Sequence, residues 1–150
     1  MKLLLLSLLL TTSTFAATTG TLILKGTVPQ LLDILVTPEP FATTLPLSTT
    51  QADSLVAEVR ERSNSATGYT VSVSSANLGK LVHETVLTST VNYSLKYNGQ
   101  TVNLLTGSTF SELTRGVKNR DVEISYTGVP EIDLTEGEYT DTVTFTIVAI

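Results

Sequence analysis

The chain has 150 residues and a formal net charge of −5, with one histidine, no cysteine and no tryptophan. Without cysteine there is no disulfide scaffold, thiolate nucleophile or lipidated N-terminal cysteine. The acidic balance lacks the basic footprint of a nucleic-acid binder, and one histidine without thiolates cannot build a zinc site.

In chain order, Met1-Lys2 give a short positive start, Leu3 to Leu10 an apolar run, and Phe15-Ala16-Ala17 a small-residue cleavage site. This predicts a secretory signal peptide over residues 1–16, cut after Ala16 or Ala17. The run is too short to span a bilayer, which takes roughly 20 apolar residues, so the exported chain is expected not to be membrane-embedded. The remainder, 17–150, is the size of one domain. The break at Pro29 divides it into a segment 17–28 and a body 29–150.

Short stretches of period-two alternation recur along it, separated by Gly, Pro, Asn and Asp. That pattern predicts an all-β, immunoglobulin-like sandwich of eight or nine strands. Thr21 to Val28 reads as the first strand and Leu31 to Val36 as the second, with Pro29 as the break between them. Thr37 to Leu47, with three prolines, reads as a loop with at most one short edge strand. Leu55 to Glu61 alternates, and Ser63 to Thr67 is a turn. Tyr69, Val71 and Val73 share one face of the next strand. Val91, Tyr93, Leu95 and Tyr97 share a face of another, and Asn98-Gly99 signals a type I′ hairpin returning through Val102 and Leu104. Val122, Ile124 and Tyr126 mark one more strand, and Tyr139 to Ile150 the last. A helical turn would fit only around Thr50 to Ser54 or Ser108 to Leu113.

Chemistry-bearing constellations are sparse. His83 stands in Leu81-Val82-His83-Glu84 with no nucleophile-elbow motif in the chain, and it reads as a surface histidine. Glu131, Asp133, Glu136, Glu138 and Asp141 crowd the approach to the final strand. Their spacing is not that of an EF-hand, so they read as a solvated rim rather than a Ca²⁺ site. Arg115, Lys118 and Arg120, flanked by Glu112, Asp121 and Glu123, read as a solvated loop. Asn92-Tyr93-Ser94 fits a glycosylation sequon, a weak signal on a strand. The expectation is no enzyme, no cofactor and no metal.

The two ends carry the most information. In Gly20-Thr21-Leu22-Ile23-Leu24-Lys25-Gly26-Thr27-Val28, residues Leu22, Leu24, Gly26 and Val28 fall on one face. In the closing segment, Gly137 is followed by Tyr139, Val143, Phe145, Ile147 and Ala149 on one side, with threonines largely filling the other. These ends resemble those of chaperone–usher pilus (fimbrial) subunits. Gly20 to Val28 is similar to that family's N-terminal extension, and Gly137 stands at the position of the glycine that the family carries ahead of its final strand. Val28 to Leu35 and the hairpin Ser89 to Val102 resemble the cysteine-free colonisation-factor type. Ala149 departs from the family's aromatic next-to-last residue.

The resemblance implies a sandwich lacking one strand, which a neighbour donates. Leu22, Leu24, Gly26 and Val28 would form the donor strand, and Gly137, Tyr139, Val143, Phe145 and Ile147 the acceptor groove. It further implies a homo-polymer built by donor-strand exchange and serving adhesion. A periplasmic chaperone and an outer-membrane usher would be its partners, and transit through the periplasm would end at the cell surface. Two other readings stand beside it. One is a self-complete secreted structural or matrix protein, spore-coat-U-like, whose first strand finishes its own sheet. The other is a carbohydrate-binding module, though no tryptophan is available for stacking.

Overall fold

The computed structural model describes residues 17–150; the predicted signal peptide, 1–16, lies outside the described residues. Ten strands follow one another: β1 Leu32–Pro38, β2 Gln51–Ser63, β3 Tyr69–Ser75, β4 Lys80–His83, β5 Thr90–Tyr97, β6 Gln100–Val102, β7 Ser108–Glu112, β8 Gly116–Tyr126, β9 Tyr139–Thr140 and β10 Val143–Ala149. Short 3₁₀ turns at Pro40–Thr43 and Glu131–Asp133 are the helical elements among the described residues.

All pairings are antiparallel, and they make two sheets. The larger runs β1-β2-β8-β5-β4-β9, with β6 beside the second half of β5; the smaller runs β10-β3-β7. This is the all-β, immunoglobulin-like sandwich that the alternation predicted. Its core forms where inward positions of both sheets meet: Tyr69, Val71 and Val73 from β3, Val91, Leu95 and Tyr97 from β5, and Val122, Ile124 and Tyr126 from β8 are all buried. Asn98 and Gly99 take φ of 51° and 74°, as the type I′ turn between β5 and β6 requires.

Four local readings are corrected. Thr21 to Val28 is not a strand within this subunit, because no neighbour offers its backbone a ladder; Leu22, Ile23, Leu24 and Val28 stand 82–85% exposed. Both places reserved for a helical turn are strand: Gln51 to Ser54 begins β2 and Ser108 to Glu112 is β7. The sheet overrides a weak local preference there. The stretch Arg115 to Arg120 is mostly the first half of β8, and Arg120 is drawn inward by two carboxylates. The final segment is two strands in different sheets: β9 pairs with β4, and β10 pairs with β3.

That switch of sheets is held by Asp141. Its Oδ1 accepts from the backbone N–H of Asn77 at 2.9 Å, and its Oδ2 from the hydroxyls of Ser75 at 2.5 Å and Tyr93 at 2.6 Å. These oxygens are occupied by protein donors, so Asp141 leaves the acidic rim read from the sequence and becomes a structural anchor.

Burial, and secondarily a hydrogen bond to Asp141 or Glu61, raises the pKa of Tyr93, Tyr69 and Tyr97 well above the ordinary value near 10. Each phenol stays protonated in the fold after the unfolded chain ionises. Stability is therefore full below about pH 10 and falls as pH rises beyond it, by up to about 1.4 kcal/mol per pH unit for each tyrosine. The share of phenolate absorbance that belongs to these three of the five tyrosines should rise together with loss of β structure, not before it.

Candidate functional site on the open side of the sandwich

Each sheet has an edge strand on the same side of the molecule. β1 pairs only with β2, and β10 only with β3. The two edges run in opposite directions. β1 starts beside the end of β2, where Leu32 faces Ser63, and β10 ends beside the start of β3, where Ala149 faces Tyr69. Loop 64–68 joins β2 to β3 at that same end. Cα atoms of β1 and β10 approach within 8 Å, yet the strands share no ladder. The backbone donors and acceptors along this side are what an added strand would use.

The apolar residues of β10 sit on this side. Phe145 lies directly opposite Val73, Ile147 opposite Val71 and Ala149 opposite Tyr69. Those β3 residues are at most 1% exposed, whereas Val143, Phe145, Ile147 and Ala149 are only half-buried. One face of one antiparallel pair is thus covered at β3 and uncovered at β10. Phe145 still anchors the strand, its ring 5.6 Å from that of Tyr97. The outward face of β10 carries Thr144, Thr146 and Val148, all exposed.

On the opposite rim, Leu32 and Ile34 of β1 pack half-buried against the core. Beyond the end of β1 and ahead of the start of β10, the open side runs into two adjoining depressions that share Leu45, Leu47, Gly137 and Tyr139. Of the acceptor residues expected from the sequence, Val143, Phe145 and Ile147 therefore line one rim together. Tyr139, in β9 of the other sheet, and Gly137, in the bend just before it, lie at the far end. The strand read over Leu31 to Val36 supplied the β1 rim; Leu45 and Leu47, separated by a proline, carried no signal.

Gly137 is required by its surroundings. It takes φ of +144°, and a Cβ there would collide with the imidazole of His83. His83 itself corrects the sequence reading: it is 2% exposed, at the end of β4. Its Nδ1 accepts from the backbone N–H groups of Thr85 at 3.1 Å and Val86 at 2.9 Å, which makes Nε2 the protonated nitrogen, donating to the Glu136 carbonyl at 2.9 Å. Tyr139 stands edge-on to the ring at 5.0 Å. Both nitrogens serve the loop 84–86 and the segment 136–139, so this histidine shapes the far end of the open side.

The most buried charge among the described residues lies elsewhere. Glu61 of β2 is 2% exposed and accepts from the hydroxyls of Tyr69 at 2.6 Å and of Tyr97, and from Arg120 Nε at 3.3 Å. Arg120 also donates to Glu112 of β7 at 2.7 Å. Glu61, Tyr97 and Arg120 belong to the larger sheet, Tyr69 and Glu112 to the smaller. The cluster thus ties the sheets together in a chain with no disulfide. The signal that could have found Glu61 is its place in the alternation, two residues on from Val59, whereas the glutamate at 58 falls on the other face. Among the described residues no three His, Cys, Asp or Glu side chains are grouped to hold a metal, and no helix is long and apolar enough to cross a membrane.

No protein-family model matches this chain, and no curated protein matches it. Among solved structures, the CooA pilin subunit from enterotoxigenic Escherichia coli is similar at 17% sequence identity with a TM-score of 0.46, covering 80% of this chain and 87% of that one.

Proposed function

We propose that the chain is a structural subunit of a bacterial surface pilus that polymerises by strand donation: residues 17–28 of one copy add to the free edge of β10 in the next. The observation that carries this reading is a match of two unsatisfied surfaces. One is the half-covered row Val143, Phe145, Ile147 and Ala149 beside an open backbone edge. The other is an extension whose Leu22, Leu24 and Val28 alternate on one face and stand at least 82% exposed. Burying those three side chains would contribute roughly 5–9 kcal/mol, at about 1.5–3 kcal/mol each, besides the backbone ladder.

Gly26 falls on the same face and leaves room for a close backbone approach. A donor on one side of the subunit and an acceptor on another make a heterologous contact, which propagates as a filament rather than closing. The uncovered edge before assembly is an aggregation hazard, which a periplasmic chaperone would shield until an outer-membrane usher assembles the chain. Under this reading residues 1–16 are the export signal and adhesion is a property of the polymer.

Surface protein run on a denaturing gel without boiling should give a ladder that collapses to one band on boiling. Deleting residues 17–28 should abolish the ladder while leaving a folded domain. A lone monomer band in unboiled wild-type protein would overturn the reading and favour a self-complete secreted sandwich.

A further inference from the structure

Three hydrogen bonds hold the root of the extension, and all come from one residue. Asn64 Oδ1 accepts from the backbone N–H of Leu31 at 2.7 Å, and its Nδ2 donates to the Pro29 carbonyl at 2.9 Å. Its own backbone N–H donates to the Leu31 carbonyl at 3.1 Å. The orientation of the side-chain amide is set by these partners, since a backbone N–H needs the oxygen and a carbonyl needs the nitrogen. Asn64 follows Ser63, the last β2 residue paired with β1. It therefore continues the β1–β2 ladder outward with a side chain in place of a strand. Residues 29–31 are thereby held as a continuation of β1.

The same loop grips the other rim. The Thr67 hydroxyl donates to the Ile150 carbonyl, and the Ile150 N–H donates to the Gly68 carbonyl at 3.2 Å. Loop 64–68 thus spans the mouth of the open side, at the end where the extension begins.

We propose that Asn64 is a positioning residue that directs the extension away from its own subunit, so that donation goes to another copy. The inference rests on the strand-donation reading above. For the extension to cover its own β10, the chain would have to reverse over Pro29 to Leu31 at that mouth, which strips Leu31 N–H and the Pro29 carbonyl from Asn64. The reversed strand would lie antiparallel to β1 and hence parallel to β10, the slightly weaker pairing. The antiparallel alternative would require entry at the far end of β1. Three linking residues reach about 10 Å at ~3.3–3.6 Å each, against roughly 23 Å for a seven-residue strand. Only a second copy can supply that strand.

The test uses full-length protein expressed for export, comparing wild type, Asn64→Ala and Asn64→Asp, with the 17–28 deletion as control. Aspartate keeps the acceptor for Leu31 but loses the donor to Pro29. The readouts are the unboiled ladder and tryptic cleavage after Lys25, which is exposed in the free extension. Asn64→Ala should raise severalfold the share of folded monomer whose Lys25 resists trypsin and shorten the ladder, with Asn64→Asp between it and wild type. If the deletion abolishes the ladder but both variants match wild type in ladder and cleavage, the clamp is overturned and strand donation stands. If the deletion leaves the ladder intact, strand donation itself fails. The 17–28 deletion keeps residues 29–31 and their bonds to Asn64, so Asn64→Ala in that background should lower the thermal midpoint by no more than a few degrees and stay folded at the assay temperature; a domain unfolded there would show a merely structural role and overturn the proposal.

Discussion

Replacing Glu61 with alanine is expected to lower the unfolding free energy by about 3–5 kcal/mol, the cost of breaking a buried ion pair on one side only. The carboxylate is almost wholly buried and serves Tyr69, Tyr97 and Arg120 together. Its loss leaves two phenols without their acceptor and a guanidinium held only by Glu112. The two phenols, at most 2% exposed, are locked in place by packing and cannot turn to water, so their desolvation goes uncompensated. Glu61→Gln preserves the volume and one acceptor oxygen and should fall between alanine and wild type. Glu61→Leu combined with Arg120→Met should recover much of the loss, because an apolar pair leaves no charge unpaired. Urea unfolding of the four proteins measures this; a midpoint for Glu61→Ala close to wild type would show that the cluster contributes little.

Ile147→Asp is expected to abolish the boiling-sensitive ladder while leaving a folded subunit. Ile147 is half-exposed in the isolated domain, so a carboxylate there can still reach water. Once a donor strand covers the row, the same carboxylate would be buried without a partner, at a cost of several kcal/mol. That offsets most of what the donor's three apolar side chains contribute. Thr146→Asp, one residue away on the outward face, is the matched control and should assemble normally. Circular dichroism confirms folding, and the gel reads assembly. If Ile147→Asp polymerises as well as Thr146→Asp, the row on β10 is not the acceptor.

Much of the scaffold was legible because the residues that bury and those that face water alternate along single strands. Tyr69-Val71-Val73 and Val122-Ile124-Tyr126 declare their faces within a few residues, and Asn98-Gly99 declares its turn by backbone chemistry alone. β4 and β7 carry no such signal, because neither short stretch has the apolar alternation of the core strands; their neighbours β5 and β3 make them strands. For Arg120 and His83, charge and polarity alone suggest exposure. Each is drawn in by partners far away in sequence: Glu61 for one, Glu136 for the other.

The sequence by itself determined the fold class, the alternating rows on the extension and on the last strand, and the poverty of reactive groups, because these depend on local periodicity and composition. Tertiary structure alone decided that the final segment divides between two sheets at Asp141, that β1 and β10 expose their edges on one side, and that Asn64 holds the root of the extension in line with β1. The reason is physical. A strand's pattern states which face it wants covered, but which neighbour covers it depends on backbone hydrogen bonds between residues tens of positions apart. In the described residues neither Thr21 to Val28 nor the free edge of β10 finds such a neighbour, and the same pattern that folds the rest of the chain leaves both exposed.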